Sequence, residues 1–251
     1  MRLGRVVLAS GCGLAAAGAL AHTLPAITTW LDFRCVVTPS LAGIGRPDHV
    51  ALTFDDGPDP ISTPVFLDEL DQLGWRGTFF LLGSMVRPAR SLAAEIAARG
   101  HEVAVHGDQH LGHLRLTAIA IHDDVARAKD LIATATGTEP QWFRPPYGTL
   151  SGGSLIAAYR LGLQPVLWTT WGRDWRPEAT AATVAADVAE GLRPGATVLL
   201  HDSDCTSAPG SWRAGVGALS KLAEIFTARG LSVGPLSDHG IRGRFSSGDP
   251  A

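Results

Sequence analysis

From His49 onward, short β-branched and aromatic runs alternate with longer stretches whose apolar positions recur at helical spacing. His49–Phe54 predicts a buried strand. Ser62 or Thr63 then caps a helix with Pro64 near its first position, Phe66, Leu67, Leu70 and Leu73 as its apolar positions, and Gly74 as its stop. Thr78–Leu82 predicts a second strand, and an Ala-rich helix follows to Arg99 and ends at Gly100. Glu102–His106 reads as the third strand, before a long helix between Thr117 and Thr136 that stops at Gly137. Trp142–Arg144 is short and extended, as the two prolines after it require. A helix near Ser154–Leu161 precedes strand Pro165–Thr169, and one near Thr183–Leu192 precedes strand Thr197–His201. A last helix near Ala214–Arg229 leads into Leu231–Val233. Seven strands, each separated from the next by a helix, predict parallel βαβ units of an α/β barrel.

The first residues follow a different pattern. Arg2 and Arg5 precede an apolar run from Val6 to Ala21, and Ala19-Leu20-Ala21 is a small-x-small cleavage pattern. Residues 1–31 are therefore expected to be a signal peptide or a membrane anchor. An uncut run that continues through Leu24, Ile27, Trp30 and Leu31 reaches the roughly 20 residues that span a bilayer. Residues 32–47 are expected as a linker, 48–236 as the folded α/β domain, and the Gly-, Ser- and Arg-rich stretch 237–251 as a flexible tail. Gly11-Cys12-Gly13 is no dinucleotide loop, because no strand precedes it.

Composition narrows the class. A hydrophobic content of 45% supplies a core, and 21 basic against 24 acidic residues leave no basic excess to drive nucleic-acid binding by counterion release. No nucleic-acid partner is expected; membrane contact is expected only through the N-terminal segment, and the chain is expected to be a monomer. Removal of the leader would take Cys12 and leave Cys35 and Cys205, which could pair in an oxidising compartment or remain as two thiols. Nine histidines in a chain with only 18% charged residues point towards metal or acid–base chemistry.

The chemistry-bearing residues fall at strand ends. Asp55-Asp56 ends the first strand, His106 the third, Arg144 the fourth and His201 the sixth. In a parallel barrel these ends share one rim, where catalytic groups sit. Adjacent carboxylates in extended chain point in opposite directions, so one can ligate a metal while the other accepts a proton. His106 and His110 stand four apart directly after a strand, a spacing that lets both imidazoles reach one cation together with a carboxylate. Zinc suits these ligand types, with Co2+ or another divalent ion as alternatives. Arg144-Pro145-Pro146-Tyr147-Gly148 is a stiff turn that could fix the Tyr147 N–H as an oxyanion donor, while Arg144 could pair with a catalytic Asp. Asp174 could hydrogen-bond an imidazole, Trp175 could wall an apolar pocket, and His201 is a natural general acid with Leu199 on its side of the strand. His101 and His113 fall outside this pattern and read as surface or structural residues.

Thr53–Pro58, His106–His110, Arg144–Gly148, Asp174-Trp175 and Leu199–Ser203 resemble, in order, the five motifs of the polysaccharide deacetylase family, carbohydrate esterase family 4. The resemblance runs from about His49 to Leu236. It implies a distorted (β/α)7 barrel with its active site on the C-terminal rim of the strands, and a divalent metal-dependent removal of acetyl groups from an N-acetylated or otherwise acetylated glycan. It implies Asp55 as base, Asp56, His106 and His110 as metal ligands, and Arg144 as the residue that orients Asp55. It also implies Tyr147 as backbone donor, Asp174 as the residue that tunes His201, His201 as acid, and Trp175 and Leu199 as the acetate pocket. Gly107 departs from the family, which usually carries Ser or Thr there, so weaker metal affinity is expected. The Asp204–Trp212 insert has no counterpart in the motifs.

Two other functions are compatible with such a barrel: a hydrolase of cyclic amides or ureides, and an inactive glycan-binding module. The leader argues against the first, since such metabolites are cytosolic, and the presence of Asp55 and His201 against the second. An extracytoplasmic enzyme, secreted or anchored, is the expectation.

Overall fold

A computed structural model describes residues 16–241. Its centre is β1 (His49–Asp55), buried along its whole length because both of its faces are covered. Around it run β2 (Thr78–Leu81), β3 (Glu102–Val105), β4 (Trp142–Phe143), β5 (Gln164–Pro165), β6 (Thr170–Trp171) and β7 (Thr197–His201), in the order β5-β4-β3-β2-β1-β7-β6. All pairings are parallel; β8 (Ser232–Gly234) pairs with residues 49–51 of β1, and β2 with residues 53–55. The result is a curled, distorted (β/α)7 barrel. Phe54 packs between Phe66 at 5.4 Å and Phe79 at 4.8 Å, which ties β1 to the helix Thr63–Leu73 and to β2. Each such fully buried ring contributes roughly 1.5–3 kcal/mol relative to exposure.

The fifth predicted strand, Pro165–Thr169, is corrected by the structure. The chain there crosses from one sheet edge to the other and pairs only briefly at each end, as β5 and β6. Val166 N–H donates to Phe143 O at 3.0 Å, and three residues later Thr169 N–H donates to Thr197 O at 2.9 Å. The carbonyls between them, which a regular ladder would satisfy, are met by arginines. Arg144 donates to Val166 O (3.3 Å) and Leu167 O (2.8 Å), and Arg34 donates twice to Trp168 O (3.2 and 2.7 Å). Buried backbone carbonyls need a partner, and two guanidinium groups supply it where no strand can.

Arg34 comes from the stretch read as a linker, which folds as two short helices, Leu31–Val37 and Pro39–Ala42. It is buried against the Trp168 ring at 5.0 Å and also holds Thr28 O and Thr29 O. At the other end, the expected tail is docked through its first residues. His239 is fully buried, with Nδ1 2.8 Å from His49 Nδ1 and Nε2 within 3.2 Å of Gly43 O and 3.1 Å of Gly195 O. Residues 1–15 of the expected leader and 242–251 of the expected tail lie outside the described residues. Among the described residues, no helix is long and apolar enough to cross a membrane. Cys35 and Cys205 are both free thiols.

Candidate active site

Parallel strands that end together bring Asp55, Asp56, His106 and His201 to one rim, where they line a pocket of about 330 Å³ with His110, Tyr147, Trp175 and Leu199. Asp55 is the last residue of β1, paired in register with Phe80 of β2 and His201 of β7. Asp56 then turns the chain with φ 78°, a left-handed conformation seldom adopted outside glycine, and both carboxylates converge on His106 Nε2, Asp55 Oδ2 at 3.7 Å and Asp56 Oδ1 at 3.4 Å.

Asp55 and Arg144 form a buried pair, Nη1 to Oδ1 at 2.6 Å. Arg144 is fully enclosed; it also donates to Thr53 Oγ1 at 2.9 Å and lies 4.0 Å over the Phe80 ring. Its carbonyl has a second task. His106 Nδ1 lies 2.8 Å from Arg144 O, which fixes the proton on Nδ1 and leaves the Nε2 lone pair facing the carboxylates.

Asp56 Oδ1 stands 3.4 Å from His106 Nε2 and 3.5 Å from His110 Nε2, buried and without any hydrogen-bond partner. A tetrahedral zinc with bonds of about 2.0–2.2 Å separates neighbouring ligand atoms by about 3.4 Å; both Asp56–imidazole separations match that spacing, and all three ligand atoms lie within 4.8 Å of one another, so the three groups fit a divalent ion. The protonation of Asp56 and His110 fits as well, while His106, which burial would depress, is raised by the Asp55 and Asp56 carboxylates. Burial tends to raise the Asp56 carboxyl, yet the imidazoles of His106, His201 and His110 around it hold it well below the ordinary range. Burial and the neighbouring His106 push His110 down to about 4, leaving it a neutral imidazole near pH 7.

Gly107 has φ 102°, and a Cβ added to it would stand 2.9 Å from Asp124 Oδ2. Asp124, on the helix Ala118–Thr136, accepts the N–H groups of Asp108 (2.9 Å) and Gln109 (3.2 Å) and so clamps the loop between the two histidines. A carboxylate outside the five motifs thus performs loop-holding of the kind a hydroxyl at 107 would provide. His110 Nδ1, however, is buried with no partner.

On the opposite wall, Asp174 receives both the His201 backbone N–H and its Nδ1, each at 2.8 Å. Burial alone would depress the His201 imidazole; Asp174, with Asp56 and Asp55 behind it, raises it to about 9. Trp175 packs edge-on to His201 at 5.7 Å, and Tyr147, with φ 60°, packs its exposed ring edge-on to His110 at 4.4 Å.

Every residue singled out at the rim is therefore gathered here. His101 and His113 are buried in the core, where their Nδ1 atoms meet Gly77 N and Ser154 Oγ. Sequence reading missed Trp168, Trp171, Thr206 and Ser207, which also line the pocket. The tryptophans carried a usable signal, since they bracket the end of a strand; Thr206 sat in an insert with no motif to compare it with.

Comparison with known proteins agrees with this geometry. Residues 42–166 match the family described as polysaccharide deacetylase. The chain is 37% identical over 196 residues to a chitooligosaccharide deacetylase of Bradyrhizobium sp. (strain ANU 289), covering 74% of this chain and 88% of that one. It is 31% identical over 205 residues to a peptidoglycan-N-acetylglucosamine deacetylase of Bacillus cereus, covering 80% and 72%. Its structure superposes on the Bc1960 peptidoglycan N-acetylglucosamine deacetylase with a TM-score of 0.76 at 27% identity, over 84% of this chain and 98% of the other.

Proposed function

Because the chain belongs to the polysaccharide deacetylase family, we propose that it hydrolyses the N-acetyl groups of an amino-sugar polymer outside the cytoplasm, with a divalent metal at Asp56, His106 and His110. The observation that carries the reading is the buried, unpartnered Asp56 Oδ1 facing two imidazole Nε2 atoms beside a second carboxylate paired to arginine. Zinc fits this donor set, and other divalent ions are compatible with it.

When bound, the cation would supply Lewis-acid polarisation of the acetyl carbonyl. Asp55, paired to Arg144 at 2.6 Å, takes a proton from the attacking water. Arg144 also fixes its direction, since four of its contacts are to the barrel wall. The Tyr147 N–H donates to the oxygen that gains charge as the carbonyl becomes tetrahedral. His201, kept protonated by Asp174, gives its proton to the departing amine nitrogen. Amide and water then leave as acetate and free amine. Leu199, Trp175, Trp168 and Trp171 form an apolar wall suited to an acetyl methyl.

The residues responsible lie within 48–236, against which the helices Leu31–Val37 and Pro39–Ala42 and His239 also pack, with the segment before them as leader or anchor. An extracytoplasmic place is supported by the leader pattern of Arg2, Arg5 and Val6–Ala21, and by relatives named for peptidoglycan or chitooligosaccharide substrates. An inactive glycan-binding role is disfavoured by the complete set of acid, base and ligand residues. The test is acetate release from peptidoglycan, chitooligosaccharides and acetylxylan, with the free amine measured in parallel. Equal acetate and amine from an amino-sugar polymer is the expected result; release from acetylxylan alone, or from none of the three, contradicts it.

A further inference from the structure

The insert Asp204–Trp212 closes over the same carboxylate that the metal reading needs. Thr206 Oγ1 donates to Asp56 Oδ2 at 2.5 Å, and the neighbouring Cys205 Sγ reaches the Asp56 backbone carbonyl at 3.6 Å. The insert is itself braced. Ser207 N–H donates to Asp204 O (3.0 Å), Gly210 N–H to the Asp204 carboxylate, and Ala208 N–H to Trp175 O (3.1 Å). One loop thereby joins Asp56 to the tryptophan beside His201.

We infer that Thr206 is a positioning residue that selects which Asp56 oxygen ligates the metal and holds it there. A carboxylate with both oxygens free can rotate or bind in either mode. Here Oδ2 is occupied by the Thr206 hydroxyl, while Oδ1 is buried, unpartnered and aimed at His106 and His110. Of the three ligands, His106 is anchored through Arg144 O, and His110 has no partner on its buried Nδ1. Among the described residues, the Thr206 hydroxyl on Asp56 and the Arg144 carbonyl on His106 thus anchor two of the three ligands in a site that lacks a hydroxyl at position 107. Outer groups of this kind typically change metal affinity 10–100-fold.

The inference rests on the metal reading above, and the experiment separates the two. Zinc dissociation constants are measured for the full chain by competition with a chromophoric chelator, for wild type, Thr206→Val and Thr206→Ser. Thr206 is exposed, and unfolding of the metal-free proteins checks that Thr206→Val leaves the fold intact. The expected result is binding weakened about 10–100-fold by Thr206→Val and restored by Thr206→Ser, with the Val variant's acetate release recovering as free zinc is raised. Equal affinity in wild type and Thr206→Val overturns the inference and leaves the metal reading standing, as does a Ser variant as weak as Val. A wild-type protein that binds no zinc overturns both.

Discussion

Asp174 grips His201 twice, one carboxylate oxygen on the backbone N–H and the other on Nδ1, each at 2.8 Å. The double contact fixes the imidazole both in place and in charge. Its folded pKa of about 9 lies above the ordinary 6.5, so the pair contributes stability that is complete below pH 6.5 and is lost as pH rises through about 9. NMR titration of metal-free protein should find His201 near pH 9 in wild type. Asp174→Asn removes the largest raising influence and leaves burial opposed only by Asp56 and Asp55, so the value should fall well below 9 and the rate at neutral pH should drop with the acid form. An unchanged titration in Asp174→Asn contradicts this assignment of cause.

Arg144 serves Asp55, Thr53 and two carbonyls of the barrel-closing segment at once. Arg144→Met would bury the Asp55 charge unpaired and strand those carbonyls. Breaking a buried pair in this way costs about 3–5 kcal/mol. Denaturant unfolding should register a loss of that size, and a change below 1 kcal/mol would show that another group can take over.

Restoring the usual family hydroxyl at position 107 should harm this protein. A Cβ there meets Asp124 Oδ2 at 2.9 Å, and φ 102° is strained for any L side chain. Gly107→Ser is expected to destabilise by about 1–3 kcal/mol. Asp124→Ala, which frees the N–H groups of Asp108 and Gln109, should cost a similar amount and weaken metal binding. Thermal unfolding and metal titration of both variants test this; a stabilised Gly107→Ser protein would contradict the account of the loop.

Much of the site was legible because β strands place their last residues at a shared rim, so Asp55, His106, Arg144 and His201 announce it as polar residues ending apolar runs. The five ordered motifs then supplied roles. What stayed hidden depended on long-range contacts. Pro165–Thr169 reads as a strand by composition, yet only the three-dimensional gap between β4 and β7 turns it into a bridge. Arg34 lies 134 residues from the Trp168 carbonyl it satisfies, and nothing local marks it. Asp124 looks like one more polar residue on a helix, because its carboxylate acts on a loop fifteen residues earlier.

Arg34 also makes a prediction about where the domain begins. Its donors satisfy Trp168 O, and its guanidinium packs on a ring that lines the pocket. A chain starting at His22 should be as stable and active as one keeping the leader, whereas a chain starting at Asp48 should lose about 2–4 kcal/mol from lost hydrogen bonds to a charged group. Arg34→Met in the longer chain should lose part of that amount. Equal unfolding midpoints for the His22 and Asp48 chains would return residues 32–47 to the status of a linker.

The central claim is that Asp55 acts as base beside a metal held by Asp56, His106 and His110. The most direct measurement is acetate release from N-acetylglucosamine oligomers by chelator-stripped protein, before and after one equivalent of zinc, in wild type and Asp55→Asn. The account predicts no release from stripped protein and recovery with zinc in wild type. Asp55→Asn should bind zinc normally yet stay about 10²–10⁴-fold slower. Full activity without metal, or a zinc-loaded Asp55→Asn protein as fast as wild type, would contradict it.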